Sequence, residues 1–277
     1  MRFDAYHGNV WEGRFDHVAE LIAHHLHGRV QRGRPRGRYG CVLDVFDGAE
    51  SVGWVADDTV NQTSYFEFKG QRSPDVAKAL REGLAPGAHN VSRADVCEDY
   101  CEPGAHLRLV QLVDRAKQDP RVLSEAITPR DGDRGETVYW GSRKSSLLVR
   151  VYEKGKQKEN LHLRRFDWAR LELQCRPSKA EHKRLAATLD PLSLWGFGKW
   201  TKNVAEAATG LELERFAPPQ EAPQFDRTTV YIATAFRRHF EEMKSEGMDW
   251  ECIGREFEAI WKHSDTIKRG LGQRPRE

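Results

Sequence analysis

The chain has 277 residues, 39% hydrophobic and 10% aromatic, enough apolar material for a sizeable core in one domain or two, and this excludes a disordered chain. Its 44 basic and 42 acidic residues leave a net charge of only +2, so bulk charge marks no partner. The distribution is uneven: residues 141–184 hold 13 Lys/Arg against 5 Asp/Glu, whereas 241–261 hold seven acids and two bases.

An opening strand over 4–11 leads into a helix over 15–27, whose Val18, Leu21, Ile22, His25 and Leu26 recur at helical spacing and which Gly28 can stop. Arg29 to Arg38 follows, with arginines set among Gly and Pro. It reads as a mobile loop whose Arg32, Arg34 and Arg36 suit phosphates, and equally as a solvated surface loop. Strands over 39–46, 51–55 and 63–69, separated by Asp47-Gly48 and a polar loop, predict an antiparallel meander. Ser73-Pro74-Asp75 predicts a capped helix to about Glu82. A strand over 91–99 comes next, then a helix over 103–117, a strand reaching about Ile127, a turn-rich loop over 129–135 and a strand over 137–140. The basic turn 141–146 opens a strand over 146–154, and another follows over 168–174. Helices are predicted over 177–189 and 193–206, a linker over 218–223, and two amphipathic helices over 228–245 and 249–267. These elements predict an α+β fold in which helices cover an antiparallel β-sheet. A first domain over 1–216 carries the chemistry, and residues 217–277 form a small helical appendage.

Cysteines and apolar runs bound the setting. Five cysteines, with Cys97 and Cys101 as a lone C-x3-C, predict free thiols rather than a disulfide framework or a zinc site. The start lacks a signal-peptide core and no apolar run nears the ~18 residues that suggest a membrane span, so a soluble cytoplasmic protein without a membrane partner is expected.

Three strands have polar faces that carry chemistry. In 146–154 the apolar Leu147, Val149 and Val151 alternate with Arg150, Tyr152 and, if the strand runs on, Lys154, so a tyrosine stands between two cations. In 168–175 Ala169, Leu171, Leu173 and Cys175 alternate with Arg170, Glu172 and Gln174. In 91–99 Arg93, Asp95, Cys97 and Asp99 share one face. In one antiparallel sheet with helices behind it these faces coincide. The carboxylates Asp95, Asp99 and Glu172 then suit a hard cation such as Mg2+ or Mn2+. Such a site could polarise a phosphate for attack by Tyr152, with Arg150, Lys154 and Arg143 offsetting charge on the phosphoryl oxygens. The same residues also have a structural reading: Tyr152 as cross-strand packing, Arg170 with Glu172 and Arg93 with Asp95 as ion pairs. His25-Leu26-His27 spells the His-hydrophobic-His triplet of one class of tyrosine nickases, but that class needs it on a strand. Here the pattern is helical, and positions i and i+2 of a helix do not share a face.

Four segments taken in order carry a resemblance: residues 92–99 (SRADVCED), 139–145 (YWGSRKS), 148–154 (LVRVYEK) and 168–173 (WARLEL). They resemble the successive motifs of the replication initiation factor family, which includes rolling-circle initiators of small plasmids, relaxases of integrative elements and replication proteins of filamentous phages. Phe3-Asp4-Ala5-Tyr6 is similar to the start of the phage members, and the resemblance spans about residues 1–215. It implies a fold related to other tyrosine nickases without their histidine pair, and a carboxylate-bound divalent metal, Mg2+ or Mn2+. It makes Tyr152 the nucleophile and Asp95, Asp99 and Glu172 the metal acids. Arg150 and Lys154 match the basic positions flanking the tyrosine, and Arg143 and Lys144 those of the preceding turn. Where the family often has a second acid after Glu172, this chain has Gln174; Glu98 is the alternative if a bulge turns it inward. The implied activity is origin-specific nicking and rejoining of one DNA strand through a phosphotyrosyl intermediate that frees a 3′-hydroxyl. The implied partners are origin DNA, duplex and single-stranded, a host helicase and polymerase, and a second copy as a homodimer. A relaxase starting conjugative transfer and a non-catalytic DNA-binding regulator are the alternatives.

Overall fold

The computed structural model describes residues 1–11, 13–127, 135–216 and 235–262. The chain divides into two compact units, Met1–Pro218 and Pro219–Glu277. The first is built on β1 (Arg2–Val10), β2 (Arg29–Arg32), β3 (Val42–Asp47), β4 (Glu50–Asp58), β5 (Thr63–Lys69), β6 (His89–Cys101), β7 (Ser124–Ile127), β8 (Thr137–Trp140), β9 (Leu147–Tyr152) and β10 (Trp168–Cys175). Its helices are α1 (Phe15–His25), α2 (Ser73–Gly83), α3 (Ala105–Ala116), α4 (Ala180–Thr188) and α5 (Lys199–Thr209). Among the described residues the ten strands form one sheet in the order β2-β3-β4-β5-β1-β6-β10-β9-β8-β7, paired antiparallel throughout. Two meanders, β2 to β5 and β7 to β10, thus flank a central pair, β1 and β6. The α+β class expected from the element pattern is the one observed.

Strand alternation explains the two faces of the sheet. Tyr6, Val55, Phe66, Phe68, Val96, Val149, Leu171 and Leu173 point to one side and join a single apolar cluster. Ile22 of α1, Leu80 of α2, Leu109 and Val113 of α3, Ala186 of α4 and Val204 of α5 join the same cluster, so all five helices bury their apolar stripes against that side. Each large side chain fully buried there contributes about 1.5–3 kcal/mol. The opposite face keeps the polar half of every strand.

Two irregularities in β1 adjust that polar face. Register shifts against β6 fall between Phe3 and Ala5 and between His7 and Gly8. The first lets Phe3 and Tyr6, three residues apart, both enter the core, and it sends Asp4 to the polar side, where it meets Arg170 at 2.9 Å. The second is possible because a Cβ on Gly8 would stand 1.8 Å from the Asn90 carbonyl oxygen, so only glycine lets the strands pass this closely.

Several expected boundaries shift for local reasons. Part of the arginine loop is strand β2, paired in register with β3, so Arg32 belongs to a ladder rather than to a mobile loop. Ser73 does not cap α2: Arg72 precedes the helix without a side-chain cap, and the buried Ser73 Oγ has no hydrogen-bond partner. Arg72 instead ties the helix start to Asp47 and Asp75. The helix expected over 193–206 is a 3₁₀ turn, Ser193–Phe197, followed by α5. Thr201 Oγ1 marks the break by donating to the carbonyls of Trp195 and Gly198 at 2.6 and 3.0 Å. The His25-Leu26-His27 triplet sits at the end of α1, as its period predicts.

In the second unit, α6 (Arg237–Ser245) and α7 (Trp250–Lys262) form a helical pair. Phe240 lies 6.0 Å from Trp250 and 5.7 Å from Phe257 between ring centres. Except for Gly135, the expected loop over 129–135 lies outside the described residues, as do the linker over 218–223 and the outer parts of the two terminal helices. All five cysteines are free. Among the described residues, no helix is long and apolar enough to cross a membrane.

Candidate active site on the polar sheet face

The site is a consequence of register. On β10, Glu172 stands opposite Arg150 of β9 and Cys97 of β6, Arg170 opposite Tyr152 and Asp99, and Gln174 opposite Leu148 and Asp95. Because the side-chain period is two, these rows share the polar face. The three polar faces anticipated from the strand patterns therefore do coincide.

Glu172 is the hinge of the arrangement and is fully buried. Arg150 donates its Nε–H to Glu172 Oε1 at 2.9 Å and a second N–H to the same oxygen. The Tyr152 hydroxyl donates to the other oxygen, Oε2, at 3.1 Å. Burial pushes the Glu172 carboxyl above its usual range, and the Arg150 guanidinium opposes that push. Burial, and after it the Glu172 charge, raises the Tyr152 phenol above its ordinary value. A neutral phenol therefore rests on a carboxylate made more basic than usual, which is the polarity needed for proton transfer from oxygen to oxygen. The Arg150 guanidinium lies 5.2 Å from the Tyr152 ring centre and Lys154 Nζ 5.8 Å. Lys154 does not reach the ring by strand alternation: β9 ends at Tyr152, and Lys154 opens a 3₁₀ turn, Lys154–Lys156, that folds it back.

The three expected metal acids are not gathered at one point. Asp95 accepts two hydrogen bonds from Arg93, at 2.9 and 2.5 Å, and one from Gln174 Nε2 at 3.4 Å. Asp99 accepts from Arg170 at 2.7 and 2.9 Å, from Trp168 Nε1 at 2.9 Å and from Arg2 at 2.9 Å. Burial would raise the Asp99 carboxyl, but the Arg170, Trp168 and Arg2 donors outweigh it and hold it below the usual range. Four strand residues separate the two aspartates by about 13 Å, too far for their short side chains to share one ion. Among the described residues, no group of three His, Cys, Asp or Glu could hold a metal ion. Glu98 does not turn inward either; it stays opposite Leu171 and pairs with the Met1 amino group.

A different donor set has spare capacity. Gln174 Oε1 and His7 Nε2 are buried without hydrogen-bond partners. Gln174 faces Asp95 in register, and His7 is one row away on the adjoining β1. Burial pushes the His7 imidazole down to about 4, so at neutral pH it is an uncharged ring with a lone pair available. Two unpaired buried atoms thus flank Asp95, but the His7 row crosses β6 at Arg93 and the Glu172 row at Cys97, four residues apart, so His7, Asp95 and Glu172 do not gather on one ion.

Sequence reasoning missed Asp4, His7 and the hydrogen bond from Tyr152 to Glu172. Asp4 reaches the polar face through a bulge, which strict alternation does not reveal. His7 was an unremarked residue of an opening strand whose partners were unknown.

The cations assigned to DNA divide into two groups. Arg143 and Lys144 are exposed in the turn between β8 and β9, and the Arg143 guanidinium lies 4.9 Å over the Tyr139 ring, which stands opposite Arg150. Arg36 pairs with Asp44 at 2.7 Å and lies 5.1 Å over Trp54. Arg32 and Arg34 are exposed and have no acidic partner among the described residues. A separate cleft of about 560 Å³, lined by Lys117, Asp119, Arg121, Lys199 and Trp200 among others, lies where α3 gives way to the next loop and α5 begins, away from Tyr152.

Residues 111–191 match the model of a family described as replication initiation factor. That segment contains Tyr152, Glu172, Arg150 and Gln174, and leaves His7, Asp95 and Asp99 outside it. The fold is similar to the solved structure of a rolling circle replication initiator protein from Geobacillus stearothermophilus. The TM-score is 0.51, with 18% identity over 70% of this chain and 82% of that one. No curated protein matches the chain significantly.

Proposed function

We propose, taking the replication initiation factor segment at residues 111–191 as the premise, that the chain starts rolling-circle DNA replication by nicking one strand at an origin through Tyr152. The observation that carries this reading is the 3.1 Å hydrogen bond from the Tyr152 hydroxyl to Glu172 Oε2. As the phenol oxygen attacks phosphorus, Glu172 takes its proton; the bond from phosphorus to the 3′ oxygen breaks, and that oxygen regains a proton as a 3′-hydroxyl. The 5′-phosphate stays on Tyr152 as an ester, so the energy of the broken bond is kept for rejoining. Arg150 and Lys154, both against the phenol ring, offset charge on the phosphoryl oxygens.

The family resemblance implies Mg2+ or Mn2+ on Asp95, Asp99 and Glu172, but among the described residues these acids do not converge on one ion, so no ligand set is assigned and no step of this reading runs through a metal. Asp99 holds Arg170 as a structural acid. Origin DNA is the substrate, and the free 3′-hydroxyl calls for a host polymerase and helicase. Rejoining is the same chemistry reversed, in this site or in that of a second copy.

The test is incubation of a supercoiled plasmid carrying the gene and its flanking DNA with the protein and Mn2+. Wild type is expected to relax the plasmid and to yield DNA covalently bound to protein, while Tyr152→Phe and EDTA abolish both. Equal DNA binding without cleavage by either protein would replace this reading with the non-catalytic regulator.

A further inference from the structure

The other half of the polar sheet face carries a feature that the nicking chemistry does not use. Tyr39, Trp54 of β4 and Tyr65 of β5 form a closed set of rings. Tyr39 and Tyr65 are stacked at 5.1 Å with planes 11° apart, and Trp54 lies 5.6 Å from Tyr39 and 5.2 Å from Tyr65. Trp54 stands opposite Glu67, which stands opposite His7, so the rings share the face of the Tyr152 site. All three are half-buried rather than enclosed. Beneath them Ala56, the residue opposite Tyr65, is fully buried on a face where Trp54 and Glu67 keep solvent contact. Arginines top the set: Arg36 lies 5.1 Å over Trp54 and Arg38 5.1 Å over Tyr39. Just past β2, Arg34 is exposed and has no acidic partner among the described residues, whereas Arg32 stands in the row of Leu43 and Val55 and so belongs to the helix side.

We propose that Tyr39, Trp54 and Tyr65 form a stacking platform for unpaired bases of single-stranded DNA, with Arg34 holding an adjoining phosphate. The proposal rests on the nicking reading for its choice of nucleic acid and adds to it a second contact on the same strand. A guanidinium on an aromatic face occupies the position a nucleobase takes when it stacks, so a base stacks here by displacing Arg36 or Arg38, which Asp44 and Asp58 hold at 2.7 and 2.5 Å, from the ring it covers. Unpaired bases have such faces; in a duplex they are stacked on one another and only their edges are presented. Arg34 supplies matching positive charge, as do Arg36 and Arg38 once displaced. From β4 to β9 is five strand spacings, about 24 Å, and the Trp54 row crosses β6 at Arg93 while the Tyr152 row crosses it at Asp99, six residues or about 20 Å further along, a span of about 31 Å in all. A strand seated on the platform therefore reaches Tyr152 within several nucleotides.

The experiment measures the affinity of a fluorescent oligothymidylate, of an abasic oligonucleotide of equal length and charge, and of a duplex, for the full chain and for Trp54→Leu and Tyr39→Ala. Leucine keeps apolar cover over Ala56 and removes the ring, and a thermal melt of each variant confirms that it is folded. The platform predicts that oligothymidylate binds the wild type about tenfold more tightly than the abasic strand, and that Trp54→Leu or Tyr39→Ala removes that advantage without weakening the abasic strand. Equal affinity for base-bearing and abasic strands, full affinity in Trp54→Leu, or tighter binding of the duplex overturns it. The covalent adduct of the wild type is scored in the same samples. An adduct without base-dependent affinity retires the platform and leaves the nicking reading, and base-dependent affinity without an adduct does the reverse.

Discussion

Two regions of one sheet face use aromatic and basic residues in opposite ways. Around β6, β10 and β9 the charged groups are buried and engaged: Glu172 is fully buried between Arg150 and Tyr152, and Arg170 is 3% exposed between Asp4 and Asp99. Around β3, β4 and β5 the rings are half-buried, and Arg34 stands in solvent. A buried, fully paired network fixes side chains to a small tolerance at high cost to any substitution. A half-exposed set of rings and arginines tolerates sequence variation in what it binds. The first arrangement suits chemistry at one phosphorus atom and the second suits grip on a strand.

Substitutions that break this contrast should rank by how deeply the group is engaged. Tyr152→Phe should abolish the covalent adduct while costing only about 1 kcal/mol of stability, because one hydrogen bond is lost and the ring stays packed. Glu172→Gln should lower the cleavage rate by about a hundredfold or more in single-turnover assays, since the proton acceptor is gone. It should also cost about 2 kcal/mol, because Arg150 loses its charged partner but is partly solvated. Asp99→Asn is expected to cost about 3 kcal/mol in urea unfolding, because the buried Arg170 retains only Asp4 as a charged partner.

Smaller effects belong to groups outside this network. His89, whose ring nitrogen lies 3.2 Å from the Tyr6 hydroxyl, is pushed down to about 4 by burial and by Arg81. Above about pH 6.5 the imidazole is neutral folded and unfolded; below it the unfolded chain takes the proton and the folded one does not until about pH 4. Stability should therefore fall by about 2 kcal/mol between pH 6.5 and 4, and urea midpoints for His89→Gln should show a flatter dependence over that window. Lys144→Ala, in the exposed β8–β9 turn, should weaken DNA binding only a few-fold and lower the salt slope by about one.

The contrast also explains what the sequence made legible. Strict alternation in 146–152 and 168–175 placed Tyr152, Arg150 and Glu172 on one face, because central strands packed on helices obey their period. The same alternation could not give partners. Asp95 and Asp99 looked like paired ligands because both lie on the polar face, but sharing a face does not bring them together: four residues of extended chain hold them apart, and each meets a different arginine. Asp4 and His7 were hidden by the two register shifts in β1, whose causes, Gly8 against Asn90 and the packing of Phe3, depend on β6 being the neighbour. The arginine stretch 29–38 read as a loop because Gly33, Pro35 and Gly37 interrupt it, although Arg29–Arg32 pairs with a strand lying ten or more residues further on. Tyr39, Trp54 and Tyr65 belong to different segments, and only the meander of β3, β4 and β5 brings their rings into contact.

The central claim is that one phenol, resting on a buried carboxylate, becomes the point of covalent attachment. The direct measurement is to trap the adduct on a labelled single-stranded origin fragment, digest protein and DNA, and locate the nucleotide-bearing peptide by mass spectrometry. A 5′-phosphate ester on Tyr152 in wild type, with none in Tyr152→Phe and a sharply reduced yield in Glu172→Gln, is the predicted result. An adduct on another residue, or an undiminished adduct in Tyr152→Phe, would contradict it.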